Sequence, residues 1–191
     1  MSGAETQFRY FIEYAKKAAG SGMSLLNIGF SAIPHCSIEV FQKMKVKHAK
    51  LLIAGAPVDV RYARKIKAMC KSEQNIILDM NYLSDLKLDT IIGLSDVILL
   101  PYKNKSSANS GLMIQSFSRG KTVIAPDICM AIDLAQYQFF YMYRNSLEEV
   151  MKGAYENGKD YNRHMEIRAK EYIDRNNNRE VVKKHIYNML A

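Results

Sequence analysis

Tryptophan is absent from this chain, and 191 residues hold only three cysteines, four prolines and ten glycines. Each scarcity excludes something. Cys36, Cys70 and Cys129 are odd in number and widely spaced, which fits neither a disulfide framework nor a zinc site. A reducing, cytoplasmic compartment is the simplest expectation, extending to the face of a membrane. The low proline and glycine content excludes a fibrous or low-complexity chain. No apolar stretch approaches the roughly 20 residues that cross a bilayer. The opening residues, Met1 to Glu5, lack the basic and then apolar regions of a secretory signal. Catalytic signatures are missing too. No Ser/His/Asp ordering, paired-carboxylate constellation or metal motif stands out.

What remains is the composition of an ordinary globular protein, 48% hydrophobic and 24% charged. The length suits one domain, 1–191, with a core of its own. The formal net charge is +8. It favours anionic partners in general, so nucleic acid, lipid surfaces and phosphorylated small molecules all qualify. The basic residues are dispersed along helices (Lys16-Lys17, Arg61 to Lys71, Arg163 to Lys184) and read first as solvated faces. A nucleic-acid-binding domain rests on charge alone and is not the expected reading.

Short apolar runs alternate with amphipathic segments along most of the chain. Residues 5–19 carry Phe8, Phe11, Ile12 and Ala15 on one helical face. A buried strand is expected over 25–30, and Pro34 then breaks the chain. Ser37 is placed to cap a helix containing Val40, Phe41 and Met44. Strands are expected over 49–54, 75–79, 96–100 and 122–125. Between them lie helices 60–71, capped by Asp59, 85–94, capped by Ser84, and 111–119. Past Pro126 the pattern weakens to a short strand within 138–143 and helices 146–157, 159–175 and 179–190. Continuous apolar strands between amphipathic helices indicate βαβ units and a mostly parallel sheet covered on both faces.

Ligands of such sheets bind beyond the carboxyl ends of the strands. The loops 29–37, 55–59, 101–111 and 126–131 are therefore the candidates. The third is the most informative, because Tyr102 to Gly111 is polar, basic and runs straight into a helix. Unpaired N–H groups and the positive end of the helix dipole favour a phosphate there. Ser110 and Gly111 permit close backbone approach, and Lys103 or Lys105 adds a point charge. The same loop also reads as an ordinary capped surface turn, since it is neither a P-loop nor a GxGxxG fingerprint. His35 lies in the first strand–helix loop, facing either a ligand or solvent.

The ordered set Ala49 to Pro57, Asn75 to Leu78, Ser95 to Tyr102, Asn109-Ser110-Gly111 and Ser118 to Pro126 resembles the donor-binding, C-terminal half of GT-B glycosyltransferases of the retaining family 4 group. The resemblance implies a Rossmann-like, three-layer α/β domain over 23–191, with 1–22 as an added helix. It implies a nucleotide-diphosphate sugar, UDP- or GDP-linked, as donor substrate and no other cofactor or metal. The pyrophosphate would meet Asn109, Ser110 and Gly111, and Gln115 matches the family's ribose-binding glutamate. The cationic first loop of the family falls on Ala32, His35 and Cys36, which removes charge-assisted contacts to a leaving diphosphate. About twenty residues precede the first strand, so the acceptor-binding half of such enzymes has no counterpart in this sequence. The expectation is a domain from a longer enzyme, one piece of a split enzyme, or a stand-alone half inactive by itself. A non-catalytic scaffold keeping the fold is the alternative, with helix 5–19 covering the missing partner's surface or joining two copies.

Overall fold

The computed structural model describes residue 13 and residues 23–28, 34–57, 59–102 and 110–176. Six strands form one sheet: β1 Met23–Ile28, β2 Ala49–Ala54, β3 Ile76–Asp79, β4 Val97–Leu99, β5 Thr122–Pro126 and β6 Tyr141–Tyr143. The helices are α1 Pro34–Met44, α2 Val60–Cys70, α3 Asp85–Leu94, α4 Gly111–Ser118, α5 Cys129–Leu134 and α6 Leu147–Asn176. The spatial order of strands is 3-2-1-4-5-6, with every pairing parallel. This is the Rossmann arrangement, and the order reverses direction between β1 and β4.

The strands are continuous apolar runs because the sheet is covered on both faces. All residues of β4 and β5 are buried, as are all of β2 except the half-buried Lys50. On one face Ile38 and Phe41 of α1, Ile66 of α2 and Met151 and Ala154 of α6 pack on Leu51, Ile53, Val97 and Leu99. On the other, Ile91 and Ile92 of α3, Met113 and Phe117 of α4 and Ala169 and Ile173 of α6 pack on Leu52, Ile98, Val123 and Ala125. Alternate residues of one strand thus feed opposite cores.

Helix α6 reaches both faces because it bends at Gly158, whose φ of 72° and ψ of −177° suit glycine alone. The expected helices 146–157 and 159–175 are its two arms. Asn162 holds the bend. Its Nδ2 donates to the Ala154 carbonyl (3.2 Å), its Oδ1 accepts from the Tyr141 hydroxyl (2.8 Å), and its carbonyl accepts from Thr122 Oγ1 (3.1 Å).

Three local expectations change. Pro34 does not break the chain; it occupies the first position of α1, where its missing N–H costs nothing. Ser37 is consequently buried inside that helix rather than capping it. Ser84 sits at the cap position of α3 without a side-chain capping bond. Asp59 does cap α2, its carboxylate accepting from the Arg61 N–H at 2.9 Å. Helix α5 was not foreseen. It is six residues long, too short for a helical period to register in sequence. Of the expected helix 5–19 only Glu13 is described, in helical conformation. The helix expected at 179–190 lies outside the described residues.

Candidate functional site

In this strand order the crevice for ligands opens at the carboxyl ends of β1 and β4, where the chain departs to opposite sides. The chain leaves β1 toward the first turn of α1 and leaves β4 toward the first turn of α4. Two helix N-termini therefore flank the crevice, each at the positive end of its helix dipole.

The start of α4 is built around Ser110. Its Oγ accepts from the Met113 N–H at 3.1 Å, capping the helix, and hydrogen-bonds the Tyr102 hydroxyl at 2.7 Å. Its own N–H is directed at the Met130 sulfur, 3.5 Å away. Burial raises the Tyr102 phenol above its usual range, with the Ser110 bond opposing. Tyr102 is therefore a neutral hydrogen-bonding group that joins the end of β4 to the start of α4. Gly111 is exposed, and a methyl group placed on it would meet no atom within 4 Å. The opening is at Gly111 alone, because Ser110 beside it is buried. Gln115 lies one turn further along α4 and is half-buried. Tyr102, Ser110, Gly111 and Gln115 are thus brought together, whereas Lys103, Lys105 and Asn109 lie outside the described residues.

His35 begins the other flank, in the first turn of α1. Its Nδ1 lies 2.8 Å from the Tyr62 hydroxyl, and the two rings meet edge to face at 5.9 Å. The imidazole is therefore engaged by α2. Beside it, burial raises the Cys36 thiol above its ordinary range, with Glu39 adding and Lys65 opposing. Cys36 is accordingly a neutral thiol. Tyr143, at the end of β6, is also driven up, chiefly by burial and further by Cys36 and Asp127. The first turn of α1 holds no lysine or arginine.

Two rim residues escaped the sequence reading. Asp79 ends β3 in a buried position. Its Oδ1 accepts from the Asn81 backbone N–H (3.0 Å) and Nδ2 (2.6 Å), while Oδ2 has no hydrogen-bond partner. Tyr62, the partner of His35, is the second. A carboxylate closing an apolar run such as Asn75 to Asp79 is a legible rim signal. Tyr62 became visible only once α1 and α2 lay side by side. Among the described residues no three His, Cys, Asp or Glu side chains gather to hold a metal ion.

No protein-family model matches the chain, and no curated protein matches its sequence. Solved structures match its fold. Anabaena HepE in complex with UDP-glucose superimposes on all of this chain with a TM-score of 0.77 at 9% identity. A glycosyltransferase from Rickettsia africae covers 93% of the chain with a TM-score of 0.74 at 17% identity. The C-terminal domain of a group 1 glycosyl transferase, LpcC from Francisella tularensis, covers 80% with a TM-score of 0.62 at 11% identity. The chain spans about half the length of the first two, 53% and 51%, and matches 83% of the single LpcC domain. The chain thus has the Rossmann-like α/β fold found in glycosyltransferases of the GT-B type.

Proposed function

We propose that this chain binds a nucleotide-diphosphate sugar and supplies the donor-binding half of a glycosyl transfer in glycan or polysaccharide synthesis. In this reading it corresponds to the C-terminal half of a retaining, family 4-like GT-B enzyme acting in the cytoplasm. The observation that carries the proposal is the exposed Gly111 in the first turn of α4, at the carboxyl end of β4 beside the point where the strand order reverses. A diphosphate placed there accepts backbone N–H groups at the positive end of the helix. Asn109, Ser110 and Gly111 hold the pyrophosphate, Gln115 reaches a ribose hydroxyl, and Lys103 or Lys105 adds charge. The fold match to a protein bound to UDP-glucose supports a uridine nucleotide as the first ligand to try.

Calorimetric titration of the full chain with UDP, GDP and UDP-glucose tests it. Saturable binding of one nucleotide is the expected result. No heat of binding with any of them at millimolar concentration overturns the proposal.

A second reading keeps the fold without the chemistry, as a binding or scaffolding module. It is favoured by the first turn of α1, where His35 is engaged by Tyr62 and Cys36 is a neutral thiol. Neither group gives a leaving diphosphate the permanent charge of a lysine or arginine. Nucleotide binding without sugar transfer, even when an acceptor domain is supplied, separates this reading from the first.

A further inference from the structure

Residues 43–71 hold nine Lys or Arg against the single carboxylate Asp59, a balance of +8. That equals the formal net charge of the whole chain, and the remaining residues hold 18 cations and 18 carboxylates. The dispersed basic residues of the sequence are thus, in net terms, concentrated in one stretch. The described arm Arg163 to Arg175, by contrast, interleaves Arg163, Arg168, Lys170 and Arg175 with Glu166, Glu171 and Asp174.

The fold turns that stretch into a surface. Helices α1 and α2 lie on the same face of the sheet. They are tied where Gln42 Nε2 donates to the Met69 carbonyl and to Glu73 Oε1, both at 3.1 Å. Helix α2 buries Ile66 and exposes Val60, Arg61, Arg64, Lys65, Lys67 and Ala68, with Lys71 following at its end. Lys43, Lys45 and Lys47, at the end of α1 and the turn after it, are exposed as well. Lys43 stands 3.9 Å from Glu148. The other seven cations make no ion pair among the described residues. Of the bordering carboxylates, Asp59 caps α2 and Glu73 meets Gln42, while Glu39 is exposed on α1.

At the carboxyl rim, where α2 begins, Val60 is 67% exposed, and Tyr82 in the turn after β3 is 78% exposed. From these observations we infer that the α1–α2 face docks on an anionic lipid bilayer, with its lysines over the headgroups and the rim residues entering the interface. Clustered lysines near a membrane surface gain attraction from its negative potential, and exposed apolar groups beside them add burial. Nucleic acid fits this face less well. Six of its eight exposed cations are lysines, point charges rather than planar forks. On the solvent side of α2 only Val60 and Ala68 accompany the cations, and the exposed aromatic Tyr82 stands at the rim, away from the basic helix face.

Flotation of the full chain with phosphatidylcholine vesicles, with and without phosphatidylglycerol, tests the inference. Binding only to the anionic vesicles, weakened by added salt, is expected. Lys65→Gln/Lys67→Gln should lower the partition coefficient about thirtyfold, at about fivefold per cation. Arg168→Gln/Lys170→Gln on α6 removes the same charge and should leave vesicle binding within about twofold, since those residues lie off this face. Val60→Ser should reduce the binding that persists at high salt. Absence of binding to anionic vesicles, an equal loss in both double variants, or preference for a nucleic-acid duplex over the vesicles would each overturn it. Nucleotide titrations of the same variants report separately on the donor site, so failure of one reading leaves the other standing.

Discussion

Gly111 opens α4 onto space that no described atom fills. Replacing it with alanine should leave thermal stability unchanged or slightly improved, because alanine is the better helix former. The same change should weaken nucleotide binding about tenfold or more, because the new methyl group stands where the diphosphate approaches the backbone. Thermal melts and calorimetry on Gly111→Ala check both outcomes, and equal nucleotide affinity in the two proteins removes the diphosphate from this helix start. Ser110→Ala loses the cap bond to Met113 and the link to Tyr102. It should cost about 1 kcal/mol in denaturant unfolding. The thiols rank by environment. Cys129 is exposed, whereas burial raises Cys36 and pushes Cys70 up to about 11. Cys129 should therefore be the first of the three to be modified by a thiol reagent at neutral pH, as peptide mapping of the alkylated chain would show. The capping role of Ser110 was legible from a small hydroxyl residue ahead of an apolar helix. Its bond to Tyr102 was not, because it depends on how the intervening loop folds back.

Helix α6 is the element that joins the two faces of the sheet, and its bend is a backbone event. At Gly158 only glycine adopts the observed φ and ψ without strain, and no atom stands in the way of a side chain. Gly158→Ala should therefore destabilise by about 1–3 kcal/mol through the backbone alone. Asn162→Ala removes the amide from the buried Ala154 carbonyl and from the Tyr141 hydroxyl, which keeps its bond from Asn157. A loss of about 1–3 kcal/mol is expected in the same denaturant titration. Two separate helices were readable around Gly158. That they form one bent element, clamped by Asn162 to β5 and β6, depends on contacts between residues 122, 141 and 162. Nothing in the local pattern of any one of these residues signals the other two. The same holds for α1. Proline ahead of a helical period reads either as a break or as a first helical residue, and the packing of Ile38 and Phe41 selects the second.

For the molecule as a whole, pH dependence offers a check on the packing of α6 against the sheet. Burial raises the Glu166 carboxyl above its usual range, with Asp96 adding and Lys121 and Arg163 opposing. The folded form thus holds this proton more tightly than the unfolded chain. Stability from this group is full below the unfolded pKa and falls as pH rises through the folded one. Glu166→Gln should raise the melting temperature at neutral pH, and the gain should vanish as the pH drops through the carboxylate range. A gain that persists in acid would mean that ionisation is not its source. Among the described residues no helix is long and apolar enough to cross a membrane.

The sequence by itself determined the layered α/β class, the parallel sheet and the loop that leads into α4. These rest on local facts: apolar runs of strand length, helical periods, and the turn and capping residues between them. Only the tertiary structure decided the strand order, and with it where the crevice between β1 and β4 opens. Order depends on which crossover lies on which face, and that is settled by packing between residues far apart in the chain. The same physics governs the charge. Nine cations spread over residues 43–71 look like ordinary solvated positions until α1 and α2 are laid on one face, where they add to a single field.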